Sequence, residues 1–310
     1  MAQVKTVYDH IRANNIKTAL LVLAFPLLFV LLTFLFLWAI MSPRDAMQMT
    51  AGVAIPTFIA CMVWMMISWM FGDSMMLHAA GAHQISDTTP EHREIFRAVE
   101  NVALAAGLPT PKVYIIDDDS MNAFATGRTP RDASVALTRG IIKRLDRLEL
   151  EGVIAHEMAH IGNRDIRLDM LMITGVGVTV FAADIILRVA LNSGGDNDRD
   201  GKNMTAVLLM VWLAFMVFNF IITPLLRMAV SRNREYAADA TGAHITRNPM
   251  GLANALRKIT TDSRVECLDK VKSMSAACIA NPAAPREFIG ALLSTHPKTE
   301  KRIKRLESMC

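Results

Sequence analysis

The chain has 310 residues, of which 52% are hydrophobic before glycine is counted and only 20% are charged. A soluble domain carries roughly 45–50% apolar residues with glycine included and about a quarter charged, so the chain is more apolar than a soluble domain. Lying in blocks, that excess points to a membrane protein with a polar domain attached. With 33 basic and 29 acidic residues the formal net charge is +4, too weak for a nucleic-acid footprint without a concentrated basic patch. Cysteine numbers only 4, which makes no disulfide framework.

The apolar excess sits in blocks. Residues 18–41 contain no charge over 24 positions, about 36 Å of helix at ~1.5 Å per residue, enough to cross a hydrocarbon core of ~30 Å. That is too long for the apolar part of a cleaved leader, and an uncleaved anchor is expected. Residues 46–72 form a second uncharged block of 27 residues, joined to the first by a short link at 42–45. The pair reads as a membrane hairpin, with Pro26 and Pro56 as tolerated kinks. A second hairpin is expected from 170–191, interrupted by Asp184 and Arg188, and from 204–226, separated by a polar loop at 192–202. The alternative for 170–191 is a buried helix of a soluble domain. Lys5, Arg12, Lys17, Arg164, Arg167, Arg227, Arg232 and Arg234 flank one side, while Arg44, Arg199 and Lys202 on the other are diluted by aspartates. The positive-inside rule then places both termini and residues 73–169 in the cytoplasm.

The chain accordingly divides into an amino-terminal hairpin (1–77), a first catalytic segment (78–169), a second hairpin (170–226) and a second catalytic segment (227–310). Within the polar parts, 92–106 is an amphipathic helix stopped by Gly107 and Pro109, and 112–116, 122–127 and 134–137 are short strands. A helix follows over 148–161. No glycine-rich phosphate loop follows a strand, so no nucleotide site is expected, and basic residues do not interleave with aromatics as nucleic acid requires.

His156-Glu157-Met158-Ala159-His160 lies on that last helix. Residues four apart share one helix face, so both imidazoles reach one ion, while Glu157 stands beside it as a general base. A catalytic zinc takes three protein ligands and keeps an open position. No third histidine follows at short spacing, and Glu235 is the best candidate. It lies on a helix over 233–241, with Asp239 one turn further on. A hairpin of nearly equal spans returns Glu235 to the membrane face and height of His160. The alternative is a solvated helix face balanced by basic neighbours such as Arg232. On the metal reading, Asp239 accepts a hydrogen bond from the free ring nitrogen of one ligand histidine. His296 precedes Pro297 and a basic helix at 298–306, where a capping or packing role competes with a place in the site.

Ala155-His-Glu-Met-Ala-His-Ile-Gly-Asn163 and Arg234-Glu-Tyr-Ala-Ala-Asp239 resemble the integral-membrane metallopeptidases of family M48. Gly107-Leu-Pro109, Asn122-Ala-Phe-Ala-Thr-Gly127, Leu137-Thr-Arg-Gly140 and Thr295-His-Pro297 extend the likeness along nearly the whole chain. The resemblance implies an α-helical membrane protein with four transmembrane helices and an α+β zincin-like (gluzincin) catalytic domain in the cytoplasm. It implies one Zn(2+) per subunit on His156, His160 and Glu235, with Glu157 catalytic and Asp239 supporting. It also implies that Asn122, Ala123, Phe124 and Ala125 edge the substrate cleft. His296 and Arg232 are candidates for supporting the transition state. The implied activity is ATP-independent proteolysis of misfolded or damaged membrane proteins at the cytoplasmic face of a bacterial inner membrane, with protein substrates and the lipid bilayer as partners. A narrow-specificity processing peptidase would use the same residues. A membrane scaffold with a structural metal would leave Glu157 unexplained.

Overall fold

The computed structural model describes residues 7–40, 42–88, 90–193, 205–206, 208–217, 219–220, 232–261 and 299–310. His296, the greater part of the 192–202 loop and residues 221–226 of the expected fourth span lie outside them. Two long helices open the chain, α1 (Val7–Ile40) and α2 (Pro43–Ala79), packed on each other. Ser42 caps α2, its hydroxyl accepting from the Asp45 amide, with Pro43 in the first turn where its missing N–H costs nothing. Both helices outrun their uncharged blocks: α1 begins well before residue 18 and α2 carries Asp73 in its last turns. Ile11–Leu31 and Ala54–Ala79 are long and apolar enough to cross a membrane. Leu20, Leu27, Ile55 and Ile59 stand more than half exposed along them, an apolar surface that water does not tolerate at this extent.

The polar part begins with β1 (Ala82–Ile85) and α3 (Pro90–Ala105), then β2 (Lys112–Ile116), β3 (Ala123–Thr126) and β4 (Ser134–Thr138). These strands make one mixed sheet in the order β1-β2-β4-β3, with β2 and β4 parallel and the other pairs antiparallel. The alternation of side chains across a strand gives the sheet two buried faces. Val113, Ile115, Ala123, Ala125, Val135 and Leu137 join the larger hydrophobic core, with Val99, Ile154 and Met158. Ile116, Phe124 and Ala136 instead form a second cluster with Phe25, Met76, Leu77, Met170 and Leu171 of the long helices. The sheet is therefore the layer that fixes the soluble half to the membrane half.

After α4 (Arg139–Arg144), α5 (Arg147–Gly162) runs through the core. Asp146 and Glu149 close a capping box at its start, satisfying two orphan amides reciprocally. Its residues from Gly152 to Ile161 are all buried. A tight turn through Asn163 and Arg164, the latter at φ 58°, leads into α6 (Asp165–Ser193). Beyond it come the apolar helix α7 (Leu208–Val217), α8 (Arg232–Thr246), α9 (Pro249–Thr261) and α10 (Thr299–Glu307). Two glycines set how closely the helices approach. A Cβ at Gly152 would stand 2.7 Å from the Leu252 amide nitrogen of α9, and one at Gly242 would stand 3.1 Å from the His156 nitrogen of α5. The second of these contacts seats α8 against the HExxH turn.

Candidate metal centre

Helix α5 presents His156 and His160 on one face, as residues four apart must be. Their Nε2 atoms are 3.2 Å apart and the rings stand edge to face at 87°. Helix α8 brings Glu235 against them. Its Oε2 lies 3.8 Å from Nε2 of His156 and its Oε1 3.7 Å from Nε2 of His160. One ligand atom from each of the three residues falls within 4.8 Å of the others, and all three side chains are buried. The structure thus brings the expected donor set together from two helices far apart in sequence.

The other ring nitrogens are held by carboxylates. Nδ1 of His160 donates to Asp165 at 2.8 Å, and Nδ1 of His156 donates to Asp239 at 3.0 Å. A carboxylate only accepts, so the proton in each ring sits on Nδ1 and the Nε2 lone pairs face each other. Such bonds fix the tautomer and raise ligand basicity. Asp239 was expected from its spacing to Glu235. Asp165 was not: it stands five residues past His160, and only the turn at Arg164 folds it back.

A second unforeseen residue is Arg302 of α10, 1% exposed. Its guanidinium forks onto Asp239 with bonds of 2.8 Å and 2.6 Å, and its Nη1 lies 3.6 Å from Glu235. Its Nη2 stands 3.3 Å from Nε2 of His156. The signal was present in the sequence, because Arg302 is four residues before the fully buried Leu306 and so shares the inward face of α10. Arg234 completes the surroundings, 3.0 Å from Asp169 and 4.0 Å from both Asp165 and Glu235.

The electrostatics call for added positive charge. Among the described residues the centre buries Glu157, Asp165, Asp169, Glu235 and Asp239 against only Arg234 and Arg302 as permanent cations. The two histidines shift in opposite directions. Burial and the nearby Arg302 hold His156 down at about 4, while His160, opposed by burial, is carried up to about 9 by its bond to Asp165 and the Glu235 charge. One proton is thereby retained between two lone pairs that point together. Two imidazole nitrogens and a carboxylate oxygen are the donors of a catalytic zinc site, and a divalent cation there replaces that proton and offsets the carboxylates. The residues present fit the group.

Glu157 is 2% exposed. Burial raises its carboxyl to about 7, the Glu235 carboxylate adding to the effect against His160 and Arg302. It accepts a hydrogen bond from the Ala125 amide of β3, the outer strand of the sheet. Antiparallel pairing turns alternate residues outward. The outward amide of Ala123 is met by the Asn122 side chain at 2.8 Å, while the Asn122 amide and carbonyl turn inward to Thr138. Phe124 points its ring into the membrane-side core. Arg232 opens α8, and its side chain lies outside the described residues.

If the two carboxylates orient the ligands, Asp165→Asn and Asp239→Asn will each weaken zinc binding about 10- to 100-fold while leaving one ion per chain at saturation. Competition with a chromogenic chelator measures both.

Similarity to known proteins agrees with the geometry. The description "Peptidase family M48" fits residues 90–310. A "Protease HtpX homolog" of Bacteroides fragilis is 36% identical, covering 95% of this chain and 96% of its own length. Another, of Thermoanaerobacter pseudethanolicus, is 39% identical over 98% of both chains. Among solved structures, S. mikatae Ste24p aligns at 16% identity with a TM-score of 0.44, covering 97% of this chain and 66% of that one.

Proposed function

The chain belongs to peptidase family M48, and on that premise we propose a zinc-dependent endopeptidase that cuts misfolded or damaged membrane proteins at the cytoplasmic face of a bacterial inner membrane. The observation that carries the chemistry is the convergence of His156, His160 and Glu235, each ring tautomer set by a buried carboxylate. These three residues would hold Zn(2+), which when bound lowers the pKa of water and polarises a carbonyl. Glu157 takes the proton from the attacking water and returns it to the leaving amine, base first and acid second. Burial lifts its carboxyl above the ordinary carboxylate range, which favours a group that has to gain and lose a proton in turn. The Ala125 amide holds the carboxyl beside the metal ligands and releases it when a substrate strand lies along β3. Recognition by a strand edge reads backbone rather than side chains, which suits substrates defined by being unfolded. His296 and Arg232 are the chain's candidates for donating to the developing oxyanion.

The membrane arrangement we infer has four spans, the two long amino-terminal helices and a second hairpin built from α6 and α7. The support is apolar exposure: Val180, Ile185, Val189 and Leu191 on α6, and Leu213, Met216 and Phe220 on the following segment, face outward. A hydrogen bond of 2.5 Å from Thr179 to Asn219 ties the two, as polar side chains do between membrane helices. With both ends cytoplasmic, the catalytic segments 78–169 and 227–310 close over one membrane face.

The test is cleavage of an unfolded model protein by the full-length chain in detergent, stripped with chelator and then reloaded with zinc. Hydrolysis is expected only after reloading. A zinc-loaded, folded protein that leaves the substrate intact overturns the reading of a broad endopeptidase.

A further inference from the structure

Asn14 lies on the first membrane helix, inside the apolar stretch Ile11–Leu31, yet its side chain is buried against the catalytic segment. Anchoring a helix in lipid has no use for an amide there, and burying one without partners is costly. Both partners are supplied by the metal centre's own frame. Nδ2 donates to Oδ1 of Asp165 at 2.6 Å and to the Asn163 carbonyl at 3.1 Å. Asn163 caps α5, the helix that carries both histidines. Asp165 opens α6 and holds Nδ1 of His160 through its other oxygen.

We propose that Asn14 is a positioning residue for the metal centre, setting the Asp165 carboxylate so that Oδ2 meets His160. A fully buried carboxylate with one oxygen unmatched rotates about its last torsion to seek donors, and the imidazole it orients moves with it. Asn14 prevents this by occupying Oδ1. The amide can do so in one orientation only, because both neighbours are acceptors and the NH2 must face them. Asn14 also joins the end of α5 to the start of α6 across the Arg164 turn, so the first membrane helix helps set the angle at which His160 is offered. Tight zinc binding then requires that helix to be docked. Asn15, the next residue, supplies a matched comparison. It accepts from Arg167 at 3.1 Å, and Arg167 donates onward to the Arg128 carbonyl at 2.9 Å. That link also docks α1, without touching Asp165.

This proposal rests on His160 being a metal ligand, and the experiment separates the two. The zinc dissociation constant of the full-length chain in lipid nanodiscs is measured by chelator competition. Asn14→Ala is expected to weaken binding about tenfold, at the lower end of what outer partners of a ligand contribute. Asn14→Leu, close in volume and without donors, is expected to do the same and covers the case that the cavity left by alanine unfolds the chain. In an Asp165→Ala background Asn14→Ala is expected to add nothing, and Asn15→Ala is expected to leave the constant unchanged. The proposal is overturned if Asn14→Ala and Asn14→Leu bind zinc normally, if the loss persists without Asp165, or if Asn15→Ala weakens binding equally, which would reduce Asn14 to helix docking. Undiminished zinc affinity in His160→Ala would instead remove the ligand assignment itself.

Discussion

Glu157→Gln is expected to keep one zinc per chain and to lose hydrolysis, with kcat/KM falling roughly 10³-fold, inside the range that general acid–base groups contribute. Glutamine matches glutamate in shape, and its carbonyl oxygen still accepts from the Ala125 amide, so the packing around α5 is preserved. What it cannot do is take a proton. The ligands His156, His160 and Glu235 are untouched, so zinc content and thermal stability should stay at wild-type values while the rate collapses. The pH dependence carries the same assignment. Burial holds the Glu157 carboxyl at about 7 before the ion is counted, and a cation beside it favours the charged form. Since the base acts only when deprotonated, kcat/KM should fall as pH drops through a limb at or below 7, and Glu157→Gln should lack that limb. Rates from pH 5 to 8 with zinc content checked at each point decide it. A variant that keeps its rate would show that another group moves the proton, and one that loses zinc would make Glu157 structural.

The reach of sequence reading differs between residues for physical reasons. His156, Glu157 and His160 were legible because a helix fixes what four residues of spacing means. Asp239 followed from Glu235 by the same rule, and Glu235 itself was the best remaining candidate on a helix, supported by an expected hairpin that would return the chain to the height of His160. The strands at 112–116, 122–127 and 134–137 were visible in their β-branched and aromatic residues. Their order was not, since nothing local says that β4 inserts between β2 and β3. The strand Ala82–Ile85 was missed altogether. Ala-His-Gln-Ile carries little strand signal, and pairing with β2 alone makes it one. The expected boundaries at 77 and 169 fall inside helices, because α2 runs to Ala79 and α6 starts at Asp165. The polar turns at those helix ends hid their continuity. Asp165 and Arg302 were missed for a shared reason. Each looked like an ordinary charge beside a turn or on a basic helix, and each is buried only because a segment distant in sequence arrives to receive it. Asn14 is received 151 residues along the chain and Arg302 meets its partner 63 residues away.

Arg302 therefore carries the second large expectation. Arg302→Met should destabilise the zinc-free protein by about 3–5 kcal/mol, the usual result of removing one partner of a buried ion pair. Methionine fills most of the vacated volume, so the loss is electrostatic rather than a cavity effect. It leaves Asp239 buried with His156 as its remaining partner. Burial alone would raise the Asp239 carboxyl, and Arg302 is the main reason that it sits instead at about 2, below the ordinary 3.8. Because that pKa is depressed in the folded state, the stabilisation is fully present above 3.8 and fades as pH falls toward 2. The deficit of Arg302→Met should follow it, large at pH 7, reduced near pH 3 and small only as pH approaches 2. Two further comparisons separate charge from shape. Zinc supplies positive charge next to the same carboxylates, so the loaded variant should recover part of the deficit. Adding Asp239→Asn should recover more, since a neutral amide beside methionine leaves no uncompensated charge at that position and still accepts from Nδ1 of His156. Denaturant unfolding of the single and double variants, with and without zinc, measures each step. If Arg302→Met unfolds at the same midpoint as the parent, the guanidinium is not what holds the Asp239 charge in the core, and the bond from His156 has to do it alone.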